Sequence, residues 1–406
     1  MTPAHSAAQS GGTWRLTAYP VAVIVAIALA VILGAVDAAD SDAPGEEIGG
    51  DYPAFYGAGR IAATGDLDEL HTVERQVEAQ TGLYEGEVTR FFPYPAQFAV
   101  VYQPLSQLDY VWSYLAHTSI MALLLWLSIL VARPMLPWLY GRVALAYATS
   151  LVFWPMFRTI TGGSNTGLSL FLITAGFRLV YDGHHLAAGV TIAAMLYKPQ
   201  FAIPLLGLFL LGRYWRVVTG AIVAATAYYA WGVALLGWSW AIDWVSMARD
   251  FGAREAEING HSSISFIGFA ENLFGVGFNV PVVLAWTCAV ATALLLGWTW
   301  WRGDVPDLGR RLAVTVPGIL LLAPHVMSHD GALIVLPVAV GVQAWDRYRW
   351  IPWVTILWVL GATQSLIRQL GFSPGFLMLL IALGWAWQFR REHSVEVGNR
   401  PAPVSV

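Results

Sequence analysis

Apolar runs close to 20 residues long recur along almost the whole of this 406-residue chain. A bilayer's hydrocarbon core needs about 20 residues of helix to cross it, because an α-helix rises about 1.5 Å per residue. Within that core every backbone N–H and C=O must be paired internally, so the runs are read as helices. A transmembrane barrel would instead show short alternating segments. Composition agrees: 57% of the residues are hydrophobic and 12% are charged, against about 25% charged in soluble domains. The expected fold class is therefore all-α, a polytopic membrane protein forming one integral-membrane domain over residues 1–406.

About twelve spans are expected, at roughly 17–37, 108–132, 139–157, 165–181, 186–198, 200–213, 216–237, 280–301, 311–324, 331–345, 350–367 and 374–390. Several are short, which suits broken or re-entrant helices lining a cavity. Segment 17–36 is long for the core of a signal peptide and reads as a retained span. Residues 1–14 and 393–406 read as disordered tails. The single cysteine, Cys288, rules out an intrachain disulfide.

With the N-terminus inside, arginines such as Arg133, Arg142, Arg178, Arg213, Arg302 and Arg311 fall at cytoplasmic ends, and the acids gather on the other side. The positive-inside rule then makes loops 38–107 and 238–279 external and both termini cytoplasmic, in a multi-pass protein of the inner (plasma) membrane.

The unusual polar residues collect on that external side. Asp51 follows Gly49-Gly50 and precedes Tyr52-Pro53-Ala54-Phe55-Tyr56. It reads either as a helix cap or as a general base taking a proton from an acceptor hydroxyl. Residues 51–64 read as a short surface helix with Phe55, Ala58 and Ile61 on its apolar side, and 70–81 as a second. Phe91-Phe92-Pro93-Tyr94-Pro95 then returns the chain to the bilayer, its prolines breaking regular helix. Tyr94 reads as an interface anchor or part of a pocket.

Lys198 is the only lysine. A cation at a membrane interface is a functional candidate by default, and its expected partner is an anion such as a lipid phosphate; a snorkelling side chain is the plainer reading. Arg158 is a second external cation at a span end, equally readable as an interfacial anchor. Thr161-Gly162-Gly163-Ser164-Asn165-Thr166-Gly167 could be a simple tight turn, or could present amides to a phosphate at a helix start. Asn259 to Ser265 reads mostly as solvated loop. His325 and His329 lie four residues apart before Asp330. They lack the spacing of a zinc site, so no metal is expected. No nucleotide-binding motif is apparent and no cofactor is expected. Together with the lack of a sizeable soluble domain, this points to a donor that lives in the membrane.

These features resemble glycosyltransferase family 87, within the GT-C superfamily. The resemblance is carried by Asp51 with Tyr52, Phe55 and Tyr56, then Tyr94-Pro95, Pro104-Leu105, Gly163-Ser164-Asn165, Lys198-Pro199-Gln200, and Pro324-His325 with Asp330 and Pro337. The chain departs from the family pattern at Gly162-Gly163-Ser164-Asn165, where Gly-Gln-x-Asn is common, and at His329-Asp330, where Tyr-Asp is common. The resemblance implies a GT-C-like fold and a metal-independent, inverting transfer of a sugar, typically mannose, from a polyprenyl-phosphate donor to a lipid or glycan acceptor. Asp51 would be the base. Lys198, Arg158 and His325 would be candidates to hold the donor phosphate, with Tyr52, Tyr56, Tyr94, Asn165, His329 and Asp330 in the substrate pocket. Membrane lipids are expected partners and nucleic acid is not. The competing readings are a multi-span transporter or lipid flippase, and a non-catalytic envelope-assembly subunit. The absence of an apparent internal repeat weighs against inverted-repeat transport.

Overall fold

The computed structural model describes residues 15–85, 90–277, 279–303, 307–345, 348–367 and 372–389. The expected tails at 1–14 and 393–406 lie outside them. The described residues are helical almost throughout, with one isolated β-bridge between Ser263 and Met327. Each apolar segment of the sequence is helical, but few are long. Among the described residues four helices are long and apolar enough to cross a membrane: α1 (Arg15–Ala39), α4 (Tyr110–Ala132), α10 (Trp215–Leu236) and α13 (Val280–Arg302). A fifth crossing is possible if α5 (Val143–Val152) and α6 (Trp154–Thr161), bent by 82° at Phe153, count as one. Pro155 in the first turn of α6 accounts for that break, since it cannot continue the ladder of α5. Length and composition thus support four or five crossings where the sequence suggests about twelve.

The remaining apolar helices are α7 (Thr166–Tyr181), α8 (His185–Ala193, continued by a 3-10 turn to Tyr197), α9 (Pro199–Leu211), α14 (Leu308–Leu322), α15 (Val335–Ala344), α16 (Ile351–Ile367) and α17 (Pro374–Phe389). Their short lengths have local causes. Pro199 begins α9 directly after Lys198, and the 3-10 turn Ser328–Ile334 precedes α15.

Loop 38–107 carries α2 (Tyr52–Thr64) and α3 (Val73–Ala79), close to the two expected surface helices. Phe55, Ala58 and Ile61 are buried, but so are Tyr52, Pro53, Ala54, Tyr56, Gly57 and Gly59, so the start of α2 is packed inside the protein rather than lying on a surface. Two buried glutamines of this loop, Gln76 and Gln80, accept hydrogen bonds from the backbone N–H groups of Phe92 and Arg90. They tie the incoming chain down before it turns back at Ala96–Tyr102. Segment 238–279 is not a plain loop. It holds α11 (Trp240–Asn259) and α12 (Phe266–Phe274). The α11 sequence contains no proline and one glycine, and is rich in Ala, Arg and Glu, so propensity favours helix where hydropathy gives no signal. The Trp244 indole donates to the Pro93 carbonyl at 3.0 Å, which fastens α11 to the first loop.

The closest helix crossing joins α8 to α10. A methyl group at Gly189 would strike the Val217 carbonyl oxygen, and one at Gly220 the Leu186 carbonyl oxygen. Small residues let helix backbones touch in this way, the usual packing device where lipid supplies no hydrophobic drive. Gly189→Ala is expected to destabilise the protein by about 1–3 kcal/mol through overpacking against backbone. Gly207→Ala, in open space on α9, is expected to be neutral or slightly stabilising. Thermal unfolding in detergent decides this, and an unchanged midpoint for Gly189→Ala would contradict the crossing.

Candidate functional site

The site begins with two glycine pairs that touch. Gly49 and Gly50 have φ of 101° and 49°, and Gly163 has φ of 65°. A methyl group on Gly50 would meet the Gly162 carbonyl, and one on Gly163 would meet Tyr52 and the Gly49 carbonyl. With no side chains between them the backbones dock, and the Asp51 amide donates to the Gly162 carbonyl at 2.8 Å. Asp51 therefore leads into α2 held by its main chain.

Its side chain makes no capping hydrogen bond to α2, so the helix-cap reading finds no bond to support it. The carboxylate is about half exposed (51%), and one oxygen lies 3.4 Å from His329 Nδ1. This is an ion-pair approach rather than a hydrogen bond. The other face of His329 meets a second carboxylate, with Nε2 3.8 Å from Asp330. One imidazole thus stands between an open carboxylate and a buried one.

Asp330 is fully committed. One oxygen accepts from Lys198 Nζ at 2.8 Å and from the Thr166 hydroxyl at 2.7 Å. The other accepts from the Met327 backbone N–H at 3.3 Å. Lys198 and Asp330 are both almost completely buried. Lys198 is thus neutralised inside the protein, neither snorkelling to the surface nor open to an anion. Charges withdrawn from water in this way need such a partner.

Tyr94 and Asn165 flank the pair. The Tyr94 hydroxyl approaches Asn165 Oδ1 at 3.4 Å. Asn165 is wholly buried, and its Nδ2 has no hydrogen-bond partner among the described residues. A buried donor without an acceptor is uncommon, and marks a position where a ligand oxygen could bond. Arg158 is exposed on α6 and approaches Gly162, the residue that holds Asp51. Among the described residues its guanidinium makes no hydrogen bond or ion pair. His325 sits in the turn between α14 and the 3-10 turn, with its ring edge against Phe251. Burial lowers its pKa below the usual histidine value, and the charges of Asp330, His329, Lys198 and Asp51 all act on it.

The fold therefore gathers Asp51, His329, Asp330, Lys198, Arg158, His325, Tyr94 and Asn165 at one end of the bundle. Tyr52 and Tyr56 belong to the scaffold beneath. The Tyr52 hydroxyl pairs with Ser113 and that of Tyr56 donates to the Leu108 carbonyl, tying α2 to the start of α4. Two residues escaped sequence reasoning. Thr166 was noted only as part of a turn, yet it shares Asp330 with Lys198. His117 lies inside α4, with its ring tilted against that of Tyr52 at 4.7 Å and beside the Gly163–Ser164 backbone. Its signal was available, since an ionisable residue inside an apolar span is a functional candidate by default. The Asn259–Ser265 run is more ordered than a solvated loop: Ile264 N–H donates to the Val326 carbonyl at 3.0 Å, and Ser265 caps α12.

Lys198→Met is expected to cost about 3–5 kcal/mol of stability, because it strands the Asp330 carboxylate. Adding Asp330→Asn should recover much of that loss. Equal unfolding midpoints for wild type and Lys198→Met would show that the two charges do not depend on each other.

The chain matches the family model of glycosyltransferase family 87 over residues 91–324, more than half of its length. Tyr94, Arg158, Asn165 and Lys198 fall within the match. Asp51 precedes it, and His325, His329 and Asp330 follow it. No curated protein and no solved structure matches the chain. An all-helical architecture with several crossing-length helices, one polar site at an end of the bundle, and this family match lead to one assignment: the chain belongs to glycosyltransferase family 87 and is a membrane glycosyltransferase.

Proposed function

We propose that the protein moves a sugar, mannose in the first instance, from a polyprenyl-phosphate donor to the hydroxyl of a lipid or glycan acceptor. The observation that carries this reading is the Asp51 carboxylate. It is half exposed, uncapped and held by its backbone beside His329. A carboxylate so placed can accept the acceptor's hydroxyl proton while the oxygen attacks the anomeric carbon. The bond from that carbon to the phosphate oxygen breaks, its electrons leave with polyprenyl phosphate, and the proton stays on Asp51. One displacement of this kind inverts the anomeric centre.

His329 takes one oxygen of Asp51 and leaves the other for the acceptor. Negative charge grows on the leaving phosphate, so groups fixed there in advance act most strongly in the transition state. Arg158 is the best placed of the three phosphate candidates, because its guanidinium is exposed and makes no bond among the described residues. His325 offers a ring nitrogen to the same phosphate. Lys198, closed against Asp330, fixes that carboxylate and with it the turn that carries His329. The amide of Asn165 is free to bond a sugar hydroxyl. A donor anchored by its own chain reaches such a site by diffusing in the plane of the membrane, which lowers the entropic cost of encounter. In this reading the site faces the external side of the plasma membrane and both termini are cytoplasmic.

Asp51→Asn is expected to lower transfer from polyprenyl-phosphate mannose by about 100- to 10,000-fold, with the unfolding midpoint unchanged because no cap bond is lost. Radiolabel transfer by purified protein measures it. Comparable rates for wild type and Asp51→Asn would remove Asp51 from the mechanism. Arg158→Gln is expected to cost about 10- to 1,000-fold in kcat/KM for the donor. An effect confined to the acceptor would place Arg158 elsewhere in the site.

A further inference from the structure

The bundle has a polar concavity at the end away from Asp51. The helices that carry the site run between the two ends. In α8 and its 3-10 extension, His185 stands at one end and Tyr197 and Lys198 at the other. In α9, Lys198 precedes the first residue and Arg213 follows the last. In α14, Arg311 lies in the first turn and His325 just past the end. Around His185, Arg213 and Arg311 opens a cleft of about 540 Å³. Among the described residues three arginines line it, Arg213, Arg216 and Arg311, and no carboxylate does. Trp215, Trp300 and Trp301 form much of the rest.

The backbone beneath Arg213 is an independent sign that its side chain is wanted there. The end of α9 is closed by hydrogen bonds from Arg213 N–H to the Leu210 carbonyl and from Tyr214 N–H to the Phe209 carbonyl, both 3.0 Å. This closure puts its middle residue in the left-handed region, where glycine is the usual occupant. The end of α7 is closed in the same way and uses Gly183, at φ 82°. The end of α9 uses Arg213, at φ 63°. Arg213 and Arg216 are exposed, and their guanidinium groups make no hydrogen bond or ion pair among the described residues. Arg311 is built into the wall, over the Trp300 ring at 5.5 Å and 3.4 Å from the Tyr214 hydroxyl.

The depth of the cleft identifies the source of its ligand. Trp215 begins α10, and Trp300 and Trp301 end α13, both crossing-length helices. Tryptophan at such positions marks the headgroup level of a bilayer. Trp215 and Trp301 are more than half exposed and offer apolar faces beside the cations. Basic pockets between helices at this level suit lipid phosphates. We propose that the cleft binds the phosphate of an anionic phospholipid. The headgroup lies between Arg213 and Arg216, and the acyl chains run beside Trp215 and Trp301. The lipid is not a substrate, since the cleft and the Asp51 site occupy opposite ends of α8, α9 and α14. The proposal therefore stands or falls apart from the transfer reaction.

The test is native mass spectrometry of the purified full-length protein titrated with phosphatidylglycerol, with phosphatidylcholine as control and inorganic phosphate as competitor. Wild type should retain phosphatidylglycerol in preference to phosphatidylcholine. Arg213→Gly with Arg216→Gln should bind it roughly 30-fold more weakly, and Arg216→Gln alone roughly fivefold more weakly. Glycine at 213 suits the left-handed turn, so the double variant should unfold no earlier than wild type in phosphatidylcholine. Equal phosphatidylglycerol binding by wild type and both variants overturns the site. So does a wild type that does not distinguish the two lipids. Displacement of phosphatidylglycerol by millimolar inorganic phosphate would overturn the lipid assignment in favour of a soluble anion.

Discussion

The ion pair between Lys198 and Asp330 holds the site together. It joins three parts of the chain: the start of α9, the 3-10 turn before α15 and, through the Thr166 hydroxyl, the start of α7. Two charges buried this deeply are expensive to desolvate and tolerate little freedom. Their partnership therefore fixes where the 3-10 turn lies. His329 is the residue next to Asp330, and its position against Asp51 follows from that constraint. The carbonyl of His329 also accepts from Thr159 at 2.9 Å, which steadies the same turn against α6.

Asp51 reaches this cluster from the other direction by a contact with no side chains in it. The docking of Gly49–Gly50 on Gly162–Gly163 lets two backbones meet and sets Asp51 at the edge rather than inside. The division of labour is physical. The interior carboxylate is fully paired and inert. The edge carboxylate is half exposed and shares one oxygen with an imidazole, which leaves it able to take a proton. Beneath them an aromatic layer that includes Tyr52, Phe55, Phe92, Tyr94 and Tyr102 packs α2 against the first loop and the start of α4, with ring centroids about 5–6 Å apart in most of its pairs.

Much of this was legible in the sequence. Hydropathy located every apolar helix, whereas the pattern of Phe55, Ala58 and Ile61 marked only one side of α2, most of which is buried all round. Helix breaks were less legible, because a hydropathy window slides over the break at Phe153 that divides α5 from α6. The whole of α11 went unread, since a charged helix carries no apolar signal. Within the site, the residue types were visible but their pairings were not. Lys198 and Asp330 lie 132 residues apart, and a lone lysine reads as open to an anion until its partner is seen. The two glycine pairs read as separate turns, and only the fold shows that each is glycine because the other is near. Tyr52 and Tyr56 adjoin Asp51, but their hydroxyl partners, Ser113 and the Leu108 carbonyl, lie more than 50 residues away and are seen only in the fold.

The account depends most on where the sugar comes from. Its direct measurement is transfer by the purified protein in lipid nanodiscs, with radiolabelled polyprenyl-phosphate mannose supplied in one reaction and the corresponding nucleotide sugar in another. Labelled product, with release of polyprenyl phosphate in equal amount, is expected from the lipid-linked donor alone. Transfer from the nucleotide sugar in the absence of any lipid-linked donor would contradict it.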